Sequence, residues 1–468
     1  MIRTFKGTMK KIATSLFSLL CFGLFAQESI VGDWLGALEG PQGSLRMVLH
    51  VTEAEAGGIN VVLDSPDQGS YGNETDTAYY ADGIFVFEAG AGQVLYEASV
   101  SGDAMRGTFK QGPYELALHF DKSDAPIGKD RRSQDPSLPY DYEAQEIEFR
   151  NKKNKITLSG TLTYPFGAGP FPTVILISGS GPQDRNSEIF NHRPFWVWSD
   201  YLTSKGFAVL RYDERGVGDS GGKFATATSR NFASDVNAAI DYLKSRGDVV
   251  DKDAIGLMGH SEGGMIAPMV AMENKDVSFM VLLAGPAAPG REILLDQSRK
   301  IFTQAGLAAE DIDENEQMMN ALYDLLDDGL DEDGLRAAFN DVIMKYAEGE
   351  SEEEIAQTQQ AIWSELNSPW MREFILYDPV PALEAVEVPV LAIYGEKDVQ
   401  VTPELNKPRM ESALRKAPIK DFQVVVVPGQ NHLFQVCTTC TLNEYGQLDE
   451  TVNEETMKLV MKWIRKHT

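Results

Sequence analysis

Residues 255–264 read Ile-Gly-Leu-Met-Gly-His-Ser-Glu-Gly-Gly, an apolar run closed by Gly259-x-Ser261-x-Gly263. A buried strand that turns at once into a helix needs such a sequence. Glycines two positions before and after the serine let strand and helix approach without side-chain collision, and the serine takes a strained backbone conformation. Its hydroxyl then stands out of the sheet beside a helix N-terminus, where free N–H groups stabilise negative charge. Five-residue patterns with two glycines also recur by chance in long chains, so the context must decide. Here a strand-like run precedes the serine and a helical segment follows it.

A serine hydroxyl is a weak nucleophile; it needs a positioned base, which in turn needs an orienting acid. From residue 144 onward, short apolar runs at 173–177, 207–210, 255–258, 279–283, 390–393 and 424–427 alternate with helical segments. Val236, Ala239, Ile240 and Leu243 mark one such helix by their i, i+3, i+4, i+7 spacing. This alternation predicts a doubly wound, mostly parallel α/β sheet covered on both faces. In such a sheet, catalytic partners project from the carboxyl ends of later strands. The run 390–393 is followed by Tyr394-Gly395-Glu396-Lys397-Asp398, and the run 424–427 by Pro428-Gly429-Gln430-Asn431-His432. Ser261, Asp398 and His432 therefore stand in a known nucleophile–acid–base order, with Glu396 as the rival acid.

The other histidines fit the base role less well. His50 and His119 lie in an N-terminal β segment, His467 is terminal, and His260 is held inside the turn. His192 precedes the serine in a loop rich in Asn, Arg and Pro, and is a candidate substrate contact. An oxyanion hole needs two aimed N–H donors. The amide of Glu262 supplies one; the loop Ser178-Gly179-Ser180-Gly181-Pro182 supplies the other, from Ser180 or, second, Gly179.

Residues 27–122 predict an all-β domain, a small barrel or sandwich, from alternating runs such as Leu45, Met47, Leu49, Val51 and Leu116, Leu118, Phe120. A Pro-, Asp-, Ser- and Arg-rich linker covers 123–143, and 144–468 form the α/β domain. Between about 290 and 380 the alternation breaks into acidic helices, with Met318, Met319, Leu322, Leu325 and Leu326 on one face. This reads as a helical cap whose Met, Leu, Tyr and Trp line the substrate pocket.

A net charge of −28 leaves nothing basic to displace phosphate counterions, which excludes nucleic acid as the partner. Lys10 and Lys11 before the apolar run 12–25, with Ala26 as a cleavage point, predict a signal peptide over 1–26. The protein is then periplasmic or extracellular. Leu20 before Cys21 fits a lipid-attachment motif poorly, and no later segment is long enough to span a membrane. Cys437 and Cys440 remain as an even pair, read as a local disulfide or two free thiols; ligands for a metal are lacking.

The elbow at 259–264, the loop Ser-Gly-Ser-Gly-Pro-Gln-Asp-Arg-Asn at 178–186 and the stretch Arg-Tyr-Asp-Glu-Arg-Gly-Val-Gly-Asp-Ser at 211–220 together resemble the serine-aminopeptidase and carboxylesterase-like branch of the α/β-hydrolases. The resemblance covers roughly 145–468 and departs from the common pattern at Glu262 and Ser178. It implies hydrolysis of esters, less often amides, by an acyl-enzyme route without metal or cofactor. Three readings follow: a carboxylesterase for short to medium acyl groups, a serine aminopeptidase or amidase for small peptides, and a secreted binding protein on a hydrolase fold. In the first two the partner is a small ester or short peptide. Asp213, Arg215 and Asp219 read as a structural loop network.

Overall fold

The computed structural model describes residues 30–40, 43–54, 57–66, 70–90, 92–111, 114–124, 131–327, 329–347 and 351–468. The expected signal peptide lies outside them. The chain divides into two compact units, the larger of which contains 127–468.

The N-terminal strands are β1 (Gly32–Gly40), β2 (Gly43–Glu53), β3 (Ile59–Ser65), β4 (Ser70–Glu74) and β5 (Thr77–Ala81). They continue as β6 (Ile84–Ala89), β7 (Val94–Ser101), β8 (Ala104–Gln111) and β9 (Tyr114–Lys122). All belong to one nine-stranded sheet in the order β4-β3-β2-β1-β9-β8-β7-β6-β5. Strands β5 to β9 pair antiparallel with their sequence neighbours, and β9 pairs antiparallel with β1. Of the two expected forms this is the barrel-like one, a half-barrel. Period-2 alternation gathers Phe85, Phe87, Tyr96, Leu118 and Phe120 in the interior. The Tyr96 and Phe120 rings meet edge-on at 5.4 Å.

The second sheet begins with an antiparallel pair, β10 (Tyr142–Asn151) and β11 (Ile156–Pro165), which the apolar runs do not reveal. Strand β10 buries only scattered side chains, so its pattern looks polar. Then follow β12 (Phe171–Ile177), β13 (Ala208–Tyr212), β14 (Val250–His260), β15 (Val277–Leu283), β16 (Val390–Gly395) and β17 (Phe422–Val427). Strand β11 meets β13 antiparallel, and every later neighbour pair is parallel. Counted along this sheet the order is 1-2-4-3-5-6-7-8. That is the order of the α/β-hydrolase fold.

One step in this order positions the site. From β12 the chain moves outward to β13, then returns across β12 to β14 on its other side. Loops leaving β12 and β14 therefore part in opposite directions and open a crevice at their carboxyl ends. Register places Ile177 beside Gly259, so residues 178–180 start next to the turn at Ser261.

Helices α1 (Pro194–Ser204), α2 (Ser229–Ser245) and α3 (Glu262–Glu273) follow β12, β13 and β14 in turn. Val236, Ala239, Ile240 and Leu243 of α2 are all buried on the sheet, with Val236, Ile240 and Leu243 each contributing about 1.5–3 kcal/mol. Between β15 and β16 stand α4 (Gly290–Gln304), α5 (Ala309–Asp324), α6 (Glu332–Tyr346), α7 (Glu352–Leu366) and α8 (Pro369–Leu376). These are the cap, and the short α9 (Val380–Glu384) leads back to the sheet. Helices α10 (Pro403–Lys416), α11 (Leu442–Tyr445) and α12 (Glu454–Ile464) complete the fold. Among the described residues no helix is long and apolar enough to cross a membrane.

Residues 131–143, part of the expected linker, are fastened to the larger unit. Arg132 donates to the carbonyls of Phe190, Asn191, Gly446 and Leu448, and Asp135 pairs with Arg193 at 2.6 Å. Sequence composition reports polarity but not which polar groups find buried partners.

Candidate active site

Ser261 joins β14 to α3 with φ 54° and ψ −121°, a conformation that costs a non-glycine residue on the order of 1–3 kcal/mol. The surroundings hold it there. A Cβ on Gly259 would lie 2.1 Å from Gly263 O, one on Gly263 2.1 Å from Ile177 O, and one on Gly264 2.6 Å from Gly285 Cα. All three contacts are with backbone, which cannot give way as a flexible side chain would. Gly263→Ala is therefore expected to destabilise the protein by more than about 3 kcal/mol, read as a fall in melting temperature. A melt within a degree of wild type would contradict this packing.

The expected acid and base, Asp398 and His432, approach from two further strand ends. Gly395 closes β16, and a Cβ there would lie 2.4 Å from Asn431 O, so the loop after β17 passes directly over it. Asn431 tightens that loop by accepting the N–H groups of Leu433 and Gln435, both at 3.0 Å. His432 and Asp398 are both buried, and His432 Nδ1 lies 2.8 Å from Asp398 Oδ2. The carboxylate accepts, so Nδ1 carries the hydrogen, and in the neutral ring the lone pair then belongs to Nε2. Asp398 Oδ1 accepts Gln400 N–H at 2.8 Å and Val401 N–H at 2.9 Å. The rival Glu396 stands elsewhere, its carboxylate accepting Gly429 N–H at 2.8 Å.

Ser261 and His432 line one cavity of about 70 Å³ with Gly179 and Ser180. Its apolar wall comes from Ile189, Phe195, Trp198, Leu283, Leu433 and Phe434. Gly179 packs against the serine, since a Cβ on it would lie 3.1 Å from Ser261 Cβ. Glu262 opens α3, where first-turn N–H groups have no acceptor within the helix.

Two expectations require revision. The cap was expected to line the pocket, yet none of the described residues of 290–380 lies on this cavity. Its Met, Leu, Tyr and Trp instead pack together around Leu322, Phe339, Ile343, Trp363 and Leu366. His192 was expected at the substrate but is fully buried, with Nδ1 2.9 Å from Thr451 Oγ1 and Nε2 donating to Tyr445 O at 2.9 Å. Burial holds its ring down to about 4, so it stays neutral inside the fold. The side chain of Glu262, whose amide is the expected oxyanion donor, is not among the residues lining the cavity. It is buried, and its Oε1 accepts Ser229 Oγ–H at 2.5 Å and Trp370 Nε1–H at 2.8 Å.

Other residues matter that sequence reasoning passed over. His260 lines the cavity and donates Nε2–H to His432 O at 2.9 Å, its ring 4.8 Å from that of His432. Burial, with His432 beside it, pushes the His260 ring down to about 3. Glu214 accepts Ser178 Oγ–H at 2.9 Å and Gln183 N–H at 3.2 Å, anchoring the loop that carries Gly179 and Ser180. Burial, and next the Glu262 carboxylate, raise the Glu214 carboxyl well above its ordinary value. Burial likewise lifts Glu262 to about 7, against the opposing Ser229 and Trp370 bonds. The loop residues Asp213, Arg215 and Asp219, read from the sequence as a structural network, are ion-paired: Asp213 and Asp219 both with Arg185, and Arg215 with Asp235 at 2.8 Å. A disulfide joins Cys437 to Cys440 in the segment after His432, with Cα atoms 5.1 Å apart.

Comparison with known proteins adds an independent line. The family described as X-Pro dipeptidyl-peptidase (S15 family) matches residues 154–431. Esterase EstD of Thermotoga maritima is 26% identical over 366 residues, which are 75% of this chain and 79% of that one. Dipeptidyl peptidase 8 of Homo sapiens is 33% identical over 154 residues, 31% of this chain and 17% of that one. A solved esterase from Pyrococcus furiosus, Pf2001, aligns at 18% identity with 69% of this chain and 90% of its own, at a TM-score of 0.41. With most of the catalytic unit inside the matched span, this chain belongs to the X-Pro dipeptidyl-peptidase (S15) family and is a serine hydrolase of the α/β-hydrolase fold.

Proposed function

We propose that the protein is a carboxylesterase for short to medium acyl esters, working through Ser261, His432 and Asp398. The observation that supports this most is the 2.8 Å bond between His432 Nδ1 and Asp398 at the cavity that Ser261 lines. With Nδ1 so engaged, the base role falls to His432 Nε2 in the neutral ring. Ser261 Oγ attacks the ester carbonyl while Nε2 takes its proton. The oxyanion is held by the N–H groups of Glu262 and Ser180, with Gly179 as the alternative to Ser180. His432 returns the proton to the departing alkoxide, leaving an acyl-serine. Water then attacks that acyl group while Nε2 takes its proton; the intermediate collapses with cleavage of the acyl C–Oγ bond, and His432 returns the proton to Ser261 Oγ as the acid product leaves.

Preference for esters rests on the cavity lining. No Asp or Glu is among the described residues that line it, so no carboxylate there meets a substrate α-amine. Similarity to esterase EstD agrees with this. A second reading, an aminopeptidase or dipeptidyl peptidase, draws support from the family match and the shorter similarity to dipeptidyl peptidase 8. Rates on 4-nitrophenyl acyl esters, set against aminoacyl and X-Pro 4-nitroanilides, separate the two. We expect kcat/KM on the short esters to be higher by on the order of 100-fold. Faster cleavage of the X-Pro anilides would replace the ester reading with the peptidase one. Export of the mature chain accords with the apolar run 12–25 and with the Cys437–Cys440 disulfide, a bond that persists in oxidising compartments.

A further inference from the structure

The cap does not line the cavity, yet it reaches the catalytic turn by another route. Helix α8, its last helix, opens with Ser368 accepting Met371 N–H and with Pro369 in the first turn. This firm start holds Trp370 in place. The Trp370 ring stacks on Phe374 at 5.2 Å and 18°, and its Nε1–H reaches Glu262 Oε1. From α2, Ser229 donates to the same oxygen, while neighbouring Arg230 pairs with Glu373 of α8 at 2.7 Å. The point where the chain enters the cap is here too. Gly290, at the start of α4, approaches so closely that a Cβ would lie 1.7 Å from Phe374 O, and its N–H donates to Tyr377 O at 3.1 Å. Both ends of the cap thus meet where α8 touches the first residue of the nucleophile helix.

We infer that Glu262 is a positioning residue, whose side chain clamps the base of the cap and helix α2 to the helix that presents Ser261. The inference rests on the serine-nucleophile reading above. Glu262 joins two functions through one short backbone. Its N–H is the proposed oxyanion donor, and its carboxyl oxygen fixes the direction of that first turn against two rigid donors. Because both donors meet one oxygen, an amide oxygen can replace it, whereas an apolar side chain cannot. A shift of the first turn by a fraction of an ångström would misalign the N–H with the developing oxyanion, and a ground-state substrate would scarcely sense the change. The effect therefore belongs in kcat rather than KM.

The test compares Glu262→Gln, Glu262→Ala, Trp370→Phe and the Glu262→Ala/Trp370→Phe pair in the full chain, assayed well below each variant's melting temperature. Trp370→Phe keeps the ring stacked but removes the donor, so it reports the bond even if Glu262→Ala fails to fold. We expect Trp370→Phe and Glu262→Ala to lower kcat by about tenfold with KM unchanged. Glu262→Gln should stay within about threefold of wild type, and the double variant should fall no further than the worse single. Losses that multiply in the double variant, a loss seen in KM, or failure of Glu262→Gln to restore kcat would each overturn the clamp. Labelling of wild-type Ser261 by an organophosphonate distinguishes the two levels of the argument: an unlabelled serine defeats the nucleophile reading itself, whereas a labelled one leaves the variants to judge Glu262.

Discussion

Ser261→Ala is expected to lower kcat on a short-chain 4-nitrophenyl ester by on the order of 10⁵-fold, with KM within a few-fold of wild type. The size of the loss follows from what the substitution leaves behind. Alanine keeps the Cβ and therefore the strained φ of 54°, so the turn and its glycine contacts have no reason to relax. The N–H groups of Gly179, Ser180 and Glu262 also remain. What disappears is the atom that forms the acyl bond, so hydrolysis must proceed by direct attack of water. Residual activity should then match that of a site that only binds and polarises the carbonyl. A melting curve that overlays wild type would confine the loss to chemistry. If the variant retained full turnover, no role for His432 or Asp398 as partners of Ser261 would survive.

Much of this site was legible from the residues, because its essential parts are local. The elbow is a backbone problem solved within a few positions of Ser261, so glycines at 259, 263 and 264 betray it. Asp398 and His432 are legible by a second rule: each lies in the loop just past an apolar strand, and a parallel sheet gathers all such strand ends on one edge. Side-chain partners across long sequence separations follow no such rule. Trp370 meets Glu262 from 108 positions away, and nothing in either neighbourhood announces the bond. His192 illustrates the opposite error. A polar loop suggested exposure, but Thr451 and Tyr445 cover the ring from the far end of the chain. The cap misled for a related reason. Its apolar stripe was correctly helical, yet periodicity says only that a face is buried, not which surface buries it.

Asp398→Asn is expected to cost about 10⁴-fold in kcat while leaving the fold intact, and the reason lies in the second oxygen. Asp398 Oδ1 accepts two backbone N–H groups, from Gln400 at 2.8 Å and Val401 at 2.9 Å. An asparagine must keep its carbonyl oxygen there, because an NH₂ group facing two N–H donors would leave all of them unpaired in a buried site. The amide nitrogen then faces His432 Nδ1, and Nδ1 has to become the acceptor. The imidazole hydrogen moves to Nε2, the atom that should take the proton of Ser261, and the base is lost through a change of tautomer. Melting temperature should stay within a few degrees of wild type, since both loop bonds persist. The rival acid supplies the control: Glu396 meets Gly429 N–H and Lys397, so Glu396→Gln should keep kcat within about threefold. The reverse pattern, with Asp398→Asn active and Glu396→Gln dead, would move the orienting role to Glu396 and require a different ring position for His432 in the working enzyme.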